Sequence, residues 1–385
     1  MANILIRGPL LTQSGYGVHS RQIFKWALTR GHNITVHVTP WGITPWYVNP
    51  PELDGLVGEI MKRTNAPVMT PDVSIQIQLP NEWDPTLCSQ NIGITAGVET
   101  NICNPSWIEA CKKMTKVIVP SRFTSRTFQT CGFENAIVVP ECYYQACEEE
   151  NLQPLEKIEN LTTENNFLLF GQLTGTDSSM DRKNTWESIK WFCQEFKNNP
   201  NVGLIVKTNS GTNCAMDKRV TSRRIRAYID DVRPQNCKAK IYLLHGYLSE
   251  PQIASLYKSK KILGLISATR GEGYGLPLLE AAASGLPVIA TDWSGHKDFL
   301  DEGKWLSVKK SLIPLPPPKI DGNIFIPGAQ WAQADEKDFK KNLKKLYKNQ
   351  EYYNKQSQLL SKKIQEKFSF EAVSKVYDAV LENCL

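Results

Sequence analysis

KILGLISATRGEGYGLPLLEAAASGLPVIATDWSGHKDFL, residues 261–300, is the stretch on which the reading of this chain turns. Residues 262–266 are an apolar, β-rich run long enough for a buried strand. The loop 269–276 follows and holds three glycines, Gly271, Gly273 and Gly275. Pro277 suits the first turn of a helix, where a missing N–H group leaves no bond unmade. Residues 278–283 are good helix formers, and Gly285 supplies the stop. Residues 286–290 read as the next buried strand. Together they make one strand–loop–helix–strand unit, the building block of a parallel α/β sheet.

The chemistry lies in the joint. Free N–H groups at the start of the helix, with its dipole, favour an anion such as a diphosphate. Glu272 lies in the loop and Glu280 in the helix, eight positions on. A purely structural charge near a helix N-terminus fits Glu280. It fits Glu272 poorly, because Gly271 and Gly273 leave that side chain no packing role.

Working outward, 385 residues suffice for two domains of ordinary size. With 41% hydrophobic and 22% charged residues, the composition is that of a globular chain. No apolar run approaches the length of a membrane span. The start, MANILIRGPL, has no basic region followed by a long apolar core, so a cytoplasmic chain is expected. The ten cysteines are scattered, without CxxC pairs, and are expected as reduced thiols rather than as a zinc site. A net charge of +6 is compatible with an anionic substrate, nucleic acid or a lipid headgroup.

The chain opens with a strand at 4–6, a Gly-rich turn containing Gly15, Tyr16 and Gly17, a helix at 20–29 and a strand at 34–38. This is the start of a Rossmann-like domain, and Gly15 and Gly17 are expected to let the backbone approach a ligand. Trp41, Trp46 and Tyr47 stand in WGITPWYVNPP, either packing a loop or offering an acceptor a stacking face. Strands are expected at 73–79, 91–95 and 116–120. The second of these ends in AGVETN, and the third is followed by Ser121, a natural N-cap, and Arg122. The acidic, polar segment 148–166 reads as an interdomain linker.

The second domain is expected to start with a strand at 167–170, then Gly171, Gln172, a polar loop and the helix DRKNTWESIKWF. Lys207 closes the strand VGLIVK. Residues 218–226, KRVTSRRIR, are the densest basic run: a solvated helix face, or a contact for phosphates. A strand at 241–244 leads into HGYLSEPQIASLY, which contains Tyr247 and Leu248. IPLPPPKI reads as a rigid spacer, and the last sixty residues as lysine-rich helix.

The string GEGYGLPLLEAAASGLPVIATDWSG resembles the signature of retaining glycosyltransferases of family four, which have the GT-B fold. Its matching residues are Glu272, Gly273, Tyr274, Gly275, Leu276, Pro277 and Glu280. The resemblance covers nearly the whole second domain and, less specifically, the first. It implies two Rossmann-like domains facing a central cleft. The acceptor-binding domain would span 1–155, completed by a final helix at 371–385. The nucleotide-sugar-binding domain would span 160–365.

The resemblance also implies roles. Lys183, with Arg182 or Lys207, would neutralise the donor diphosphate. Gln172 departs from the arginine usual at its position, and Arg182 is placed to replace that charge. Glu272 would hold the donor sugar and Glu280 the ribose. Gly15, Tyr16, Gly17, Tyr247, Leu248, Gly273, Tyr274, Gly275 and Leu276 would contact the donor. Glu99, close to where relatives carry a histidine at the acceptor mouth, would be catalytic and orient an acceptor hydroxyl, or else cap its loop. Trp41, Trp46, Tyr47 and Arg122 would meet the acceptor. The donor would be a UDP-sugar, with no metal required.

ILIRGPLLTQSGYGVHSR, with ITAGVET and VIVPS, is similar to transferases encoded by tailed bacteriophages. That likeness implies a host-cytoplasm location and 5-hydroxymethylcytosine in DNA as acceptor. The alternatives are a cell-surface glycan or lipid acceptor, a nucleotide-sugar-binding protein without transfer activity, and an epimerase.

Overall fold

The computed structural model describes residues 2–64, 70–173 and 178–384. Part of the expected polar loop after Gln172 (174–177), and Leu385 of the expected final helix, lie outside them. The chain divides into two units, each with its own parallel sheet.

The first unit comprises Met1–Cys142, Gly322–Ile326 and Phe370–Leu385. Its strands are β1 (Asn3–Gly8), β2 (Asn33–Val38), β3 (Val73–Ile77), β4 (Gln90–Ile94), β5 (Lys116–Val119) and β6 (Ala136–Val138). They run in the order β2-β1-β3-β4-β5-β6, all parallel. Such sheets are covered on both faces, and β3, β4 and β5 are buried almost throughout, while β1 alternates. Ile4, Ile6, Ile75, Ile92 and Ile118 form the core with Ile23 and Phe24 of the helix Gly15–Thr29. The C-terminal helix Phe370–Leu381 completes that core with Val373, Tyr377 and Leu381.

The second unit comprises Tyr143–Asp321 and Pro327–Ser369. Its strands are β7 (Asn165–Gly171), β8 (Val202–Thr208), β9 (Lys240–His245), β10 (Ile262–Ser267), β11 (Val288–Thr291) and β12 (Leu306–Val308). Their order is β12-β11-β10-β7-β8-β9, again all parallel. The period of two is visible in the packing. Leu168, Ile205 and Leu265 enter one apolar layer, while Phe167, Leu169, Leu204, Val206 and Ile266 enter the other. The strand order reverses at β7, whose neighbours are β10 and β8. The carboxyl end of such a reversal is where α/β sheets bind ligands.

Three sequence expectations change. Residues 148–166 are not an interdomain linker: Ile158 is buried in the second unit, Leu152, Leu155 and Leu161 pack against the same core, and that unit already begins at Tyr143. The proline-rich segment is only partly a spacer, since β13 (Lys310–Pro314) pairs antiparallel with β14 (Gln330–Ala334). The first helix begins at Gly15, not Ser20, because the Ser14 hydroxyl accepts from the Gly17 N–H at 3.0 Å and caps it.

Candidate functional site

Two loops of the second unit meet beyond the sheet reversal, at the ends of β7 and β10. The first leads into the helix Thr185–Glu195. Asp181 is fully buried there, and its carboxylate accepts from the Thr185 N–H at 2.6 Å and the Lys183 N–H at 3.1 Å. This caps the helix and fixes the direction of Arg182 and Lys183. Asn184 follows in the left-handed region at φ 53°. The second loop runs from β10 through Gly271–Gly275 into the helix Leu276–Ala283, with Gly275 as its N-cap at φ 104°.

The side chains converge on Glu272. Lys183 Nζ donates to both carboxylate oxygens, at 2.7 and 2.8 Å. Arg182 donates to the Gly271 carbonyl at 2.6 Å and stands 3.4 Å from Glu272 Oε2. Burial alone would raise the Glu272 pKa. The charges of Lys183 and Arg182 outweigh it and hold the carboxyl down at about 2. Glu272 is therefore a carboxylate at any physiological pH. Phe170, Lys183, Ser267, Glu272, Gly275 and Pro277 line a pocket at this point.

The other predicted residues of this unit occupy distinct places. Glu280 is buried and accepts from the Tyr257 hydroxyl at 3.0 Å. Lys207, at the end of β8, is paired in register with Phe170 of β7. Its ammonium donates to the Gly246 carbonyl at 2.6 Å and to Asn209 Oδ1 at 2.7 Å, and burial lowers its pKa to about 8. It thus braces the turn that presents Tyr247 and Leu248. Tyr247 is exposed, Leu248 packs on the core, and Tyr274 is buried edge-on against Phe299. Gln172 is exposed just after β7. The basic run lies on the helix Ala215–Val232, with Lys218, Arg219, Arg223, Arg224 and Arg226 exposed.

A second cluster lies in the first unit, at the carboxyl ends of β1 and β4. The Tyr16 phenol receives the Ala96 N–H at 3.0 Å and lies 2.9 Å from Thr95 Oγ1. Trp41 stacks on Tyr16 at 3.9 Å. Burial raises the phenol's pKa, with the carboxylate of Glu99 adding to the rise. Arg122 is exposed at the start of its helix, which Ser121 caps by accepting from the Thr124 N–H.

Several expectations for this unit need correcting. A β-carbon on Gly17 would stand 2.2 Å from the Thr12 carbonyl oxygen, so the turn itself requires a glycine there. Gly15 faces open space. Tyr47 is buried, with the Arg21 guanidinium 4.9 Å over its ring, and cannot serve as a stacking platform. Trp46, 40% exposed, can. Gly97 has φ 70°, and a β-carbon there would stand 2.5 Å from Thr124 Cγ2, so no side chain fits at position 97 itself.

Sequence reasoning missed Asp181 and Tyr257. Asp181 had a signal, an acid four residues before the first helical turn. Tyr257 had none, because its partner Glu280 is a helix and a strand away. Among the described residues no group of His, Cys, Asp or Glu converges to hold a metal ion, and no helix is long and apolar enough to cross a membrane. None of the ten cysteines is joined in a disulfide.

Residues 238–362 match the family model of glycosyl transferases group 1. The chain is 43% identical over 66 residues to the serotype-specific mannosyltransferase WbdA of Escherichia coli, covering 17% of this chain and 8% of that protein. The match thus spans less than a tenth of that relative's length. Among solved structures, a glycosyltransferase from Rickettsia africae superimposes with a TM-score of 0.65 at 15% identity, over 100% of this chain and 98% of that one. Anabaena HepE, solved in complex with UDP and glucose, gives 0.64 at 11% identity, over 99% and 100%. The fold is GT-B, with two Rossmann-like units.

Proposed function

We propose that this chain is a retaining glycosyltransferase that moves a sugar from a nucleotide-diphosphate sugar to an acceptor hydroxyl. The observation that carries the reading is the Arg182–Lys183–Glu272 constellation at the sheet reversal, inside a unit whose residues 238–362 match glycosyl transferases group 1. When the bond from the sugar's anomeric carbon to the diphosphate breaks, negative charge grows on the leaving oxygens. Lys183 and Arg182 are cations fixed in place beforehand, the arrangement that stabilises such charge most. N–H groups at Gly273 and Gly275 add partial positive charge. Glu272 accepts from hydroxyls of the donor sugar, and Glu280 from those of the ribose. With two cations on the diphosphate, the reaction needs no metal.

For the donor, a UDP-sugar is the first choice, since HepE was solved with UDP. For the acceptor, the relatives' names favour a saccharide hydroxyl. A second reading, hydroxymethylated cytosine in duplex DNA, is favoured by the exposed basic face at 218–226 and by Trp46. The test is product analysis by mass spectrometry after purified protein is offered a panel of nucleotide sugars with saccharide acceptors and with hydroxymethylated duplex. Transfer with retained anomeric configuration supports the proposal. Nucleotide-sugar binding with neither transfer nor hydrolysis leaves a binding protein instead. Binding to the duplex that falls steeply with salt, with a log–log slope of about −0.9 per phosphate neutralised, would single out DNA.

A further inference from the structure

We propose that Ser294 is a positioning residue that clamps the backbone of Glu272 so that its carboxylate meets Lys183; this rests on the role given to Glu272 above. Ser294 lies in the turn after β11, buried, at φ 84°. That region is unfavourable for any residue with a β-carbon and free for glycine. A serine held there against its preference points to a use for the hydroxyl.

The use is visible. The Glu272 N–H donates to Ser294 Oγ at 2.9 Å in a buried setting. The next residue completes the grip, since the Gly295 N–H donates to the Glu272 carbonyl at 2.9 Å. The turn can come this close only because residue 295 lacks a β-carbon, which would stand 2.1 Å from the Gly273 carbonyl oxygen. The serine is oriented in turn by His296. Nε2 of this buried ring lies 2.8 Å from the Thr291 carbonyl, so Nε2 carries the proton and donates. Nδ1 is then an acceptor, 3.5 Å from Ser294 Oγ. The serine hydroxyl therefore accepts from Glu272 and donates to His296, and its orientation is determined. Burial lowers the His296 pKa and keeps the ring in this neutral form. The loop 271–273 is thus held from both sides by residues more than twenty positions on in the sequence.

Two substitutions in the full-length chain separate a positioning role from a merely structural one. Ser294→Ala keeps the strained backbone and removes the hydroxyl. Ser294→Gly relieves the strain and also removes it. If the hydroxyl positions Glu272, both variants lose on the order of 10- to 100-fold in kcat, the cost of a displaced catalytic group. Affinity for the nucleoside diphosphate changes by less than about twofold. The Glu272 amide, followed by hydrogen exchange, loses protection in both, although Ser294→Gly melts higher than Ser294→Ala. The proposal is overturned if Ser294→Gly keeps wild-type kcat and a protected Glu272 amide, or if kcat simply tracks melting temperature. Should the wild-type chain turn over no nucleotide sugar, the functional reading fails. The amide-exchange comparison still decides the clamp, so the two failures are distinguishable.

Discussion

Glu272 is a buried carboxylate held ionised by Lys183 and Arg182. Lys183→Ala removes the bidentate partner and leaves the carboxylate against Arg182 alone. Loss of one preorganised electrostatic group in a site costs about 2–4 kcal/mol of transition-state stabilisation. Steady-state kcat/KM on a working donor–acceptor pair is expected to fall accordingly, and an effect under about tenfold would move the role elsewhere. Lys207 gives a pH signature. Burial lowers its pKa from 10.5 to about 8. Between those values the unfolded chain binds more protons than the folded one, so stability rises with pH across this window. Lys207→Met should abolish that part of the rise in melting temperature between pH 8 and 10.5. An unchanged slope would mean that Lys207 is not the group responsible.

The helix Gly15–Thr29 and its preceding turn show what an element demands of its glycines. Gly17 packs on the Thr12 carbonyl, which is backbone and cannot swing away, whereas Gly15 faces open space. Gly17→Ala is expected to destabilise by about 1–3 kcal/mol, the cost of overpacking. Gly15→Ala should stay within about 0.5 kcal/mol, as surface changes do. Chemical denaturation of the two variants reads the difference directly, and equal midpoints would refute the assignment. The same turn carries Tyr16, whose phenol bonds to Thr95 and Ala96, so a disturbance here reaches the end of β4.

At the scale of the molecule, the first unit is built from distant parts of the chain. Its core requires Val373, Tyr377 and Leu381 of the last helix. Asp378 of that helix accepts from the Trp26 indole at 2.8 Å and pairs with Arg30 at 2.9 Å. Deleting 370–385 strips these apolar side chains from the sheet, each worth roughly 1.5–3 kcal/mol when buried. The first unit should then become sensitive to limited proteolysis while residues 143–321 and 327–369 remain resistant. Cleavage spread evenly over both units, or none in either, would contradict this division.

Much of this was written into short stretches of sequence. The strand–loop–helix unit at 261–300, the N-cap at Ser121, the pair Glu272 and Glu280, and Lys183 ahead of its helix are all local signals. They depend on residue type, spacing and the period of burial, which a single segment displays by itself. What only the tertiary structure decided depends on contacts between residues far apart in the chain. Tyr47 left the surface because Arg21 covers it. Gly17 proved to be required by the close approach of the Thr12 carbonyl. The acidic segment expected as a linker became part of the second unit because Ile158, with Leu152, Leu155 and Leu161, found apolar partners there. Residues 322–326 joined the first unit, where the Asn104 side chain donates to the carbonyls of Gly322 and Asn323. Local pattern specifies which elements form. Which side chains they bury, and which glycines and serines they hold under constraint, follows from three-dimensional packing, because a neighbour in space leaves no mark in the sequence beside it.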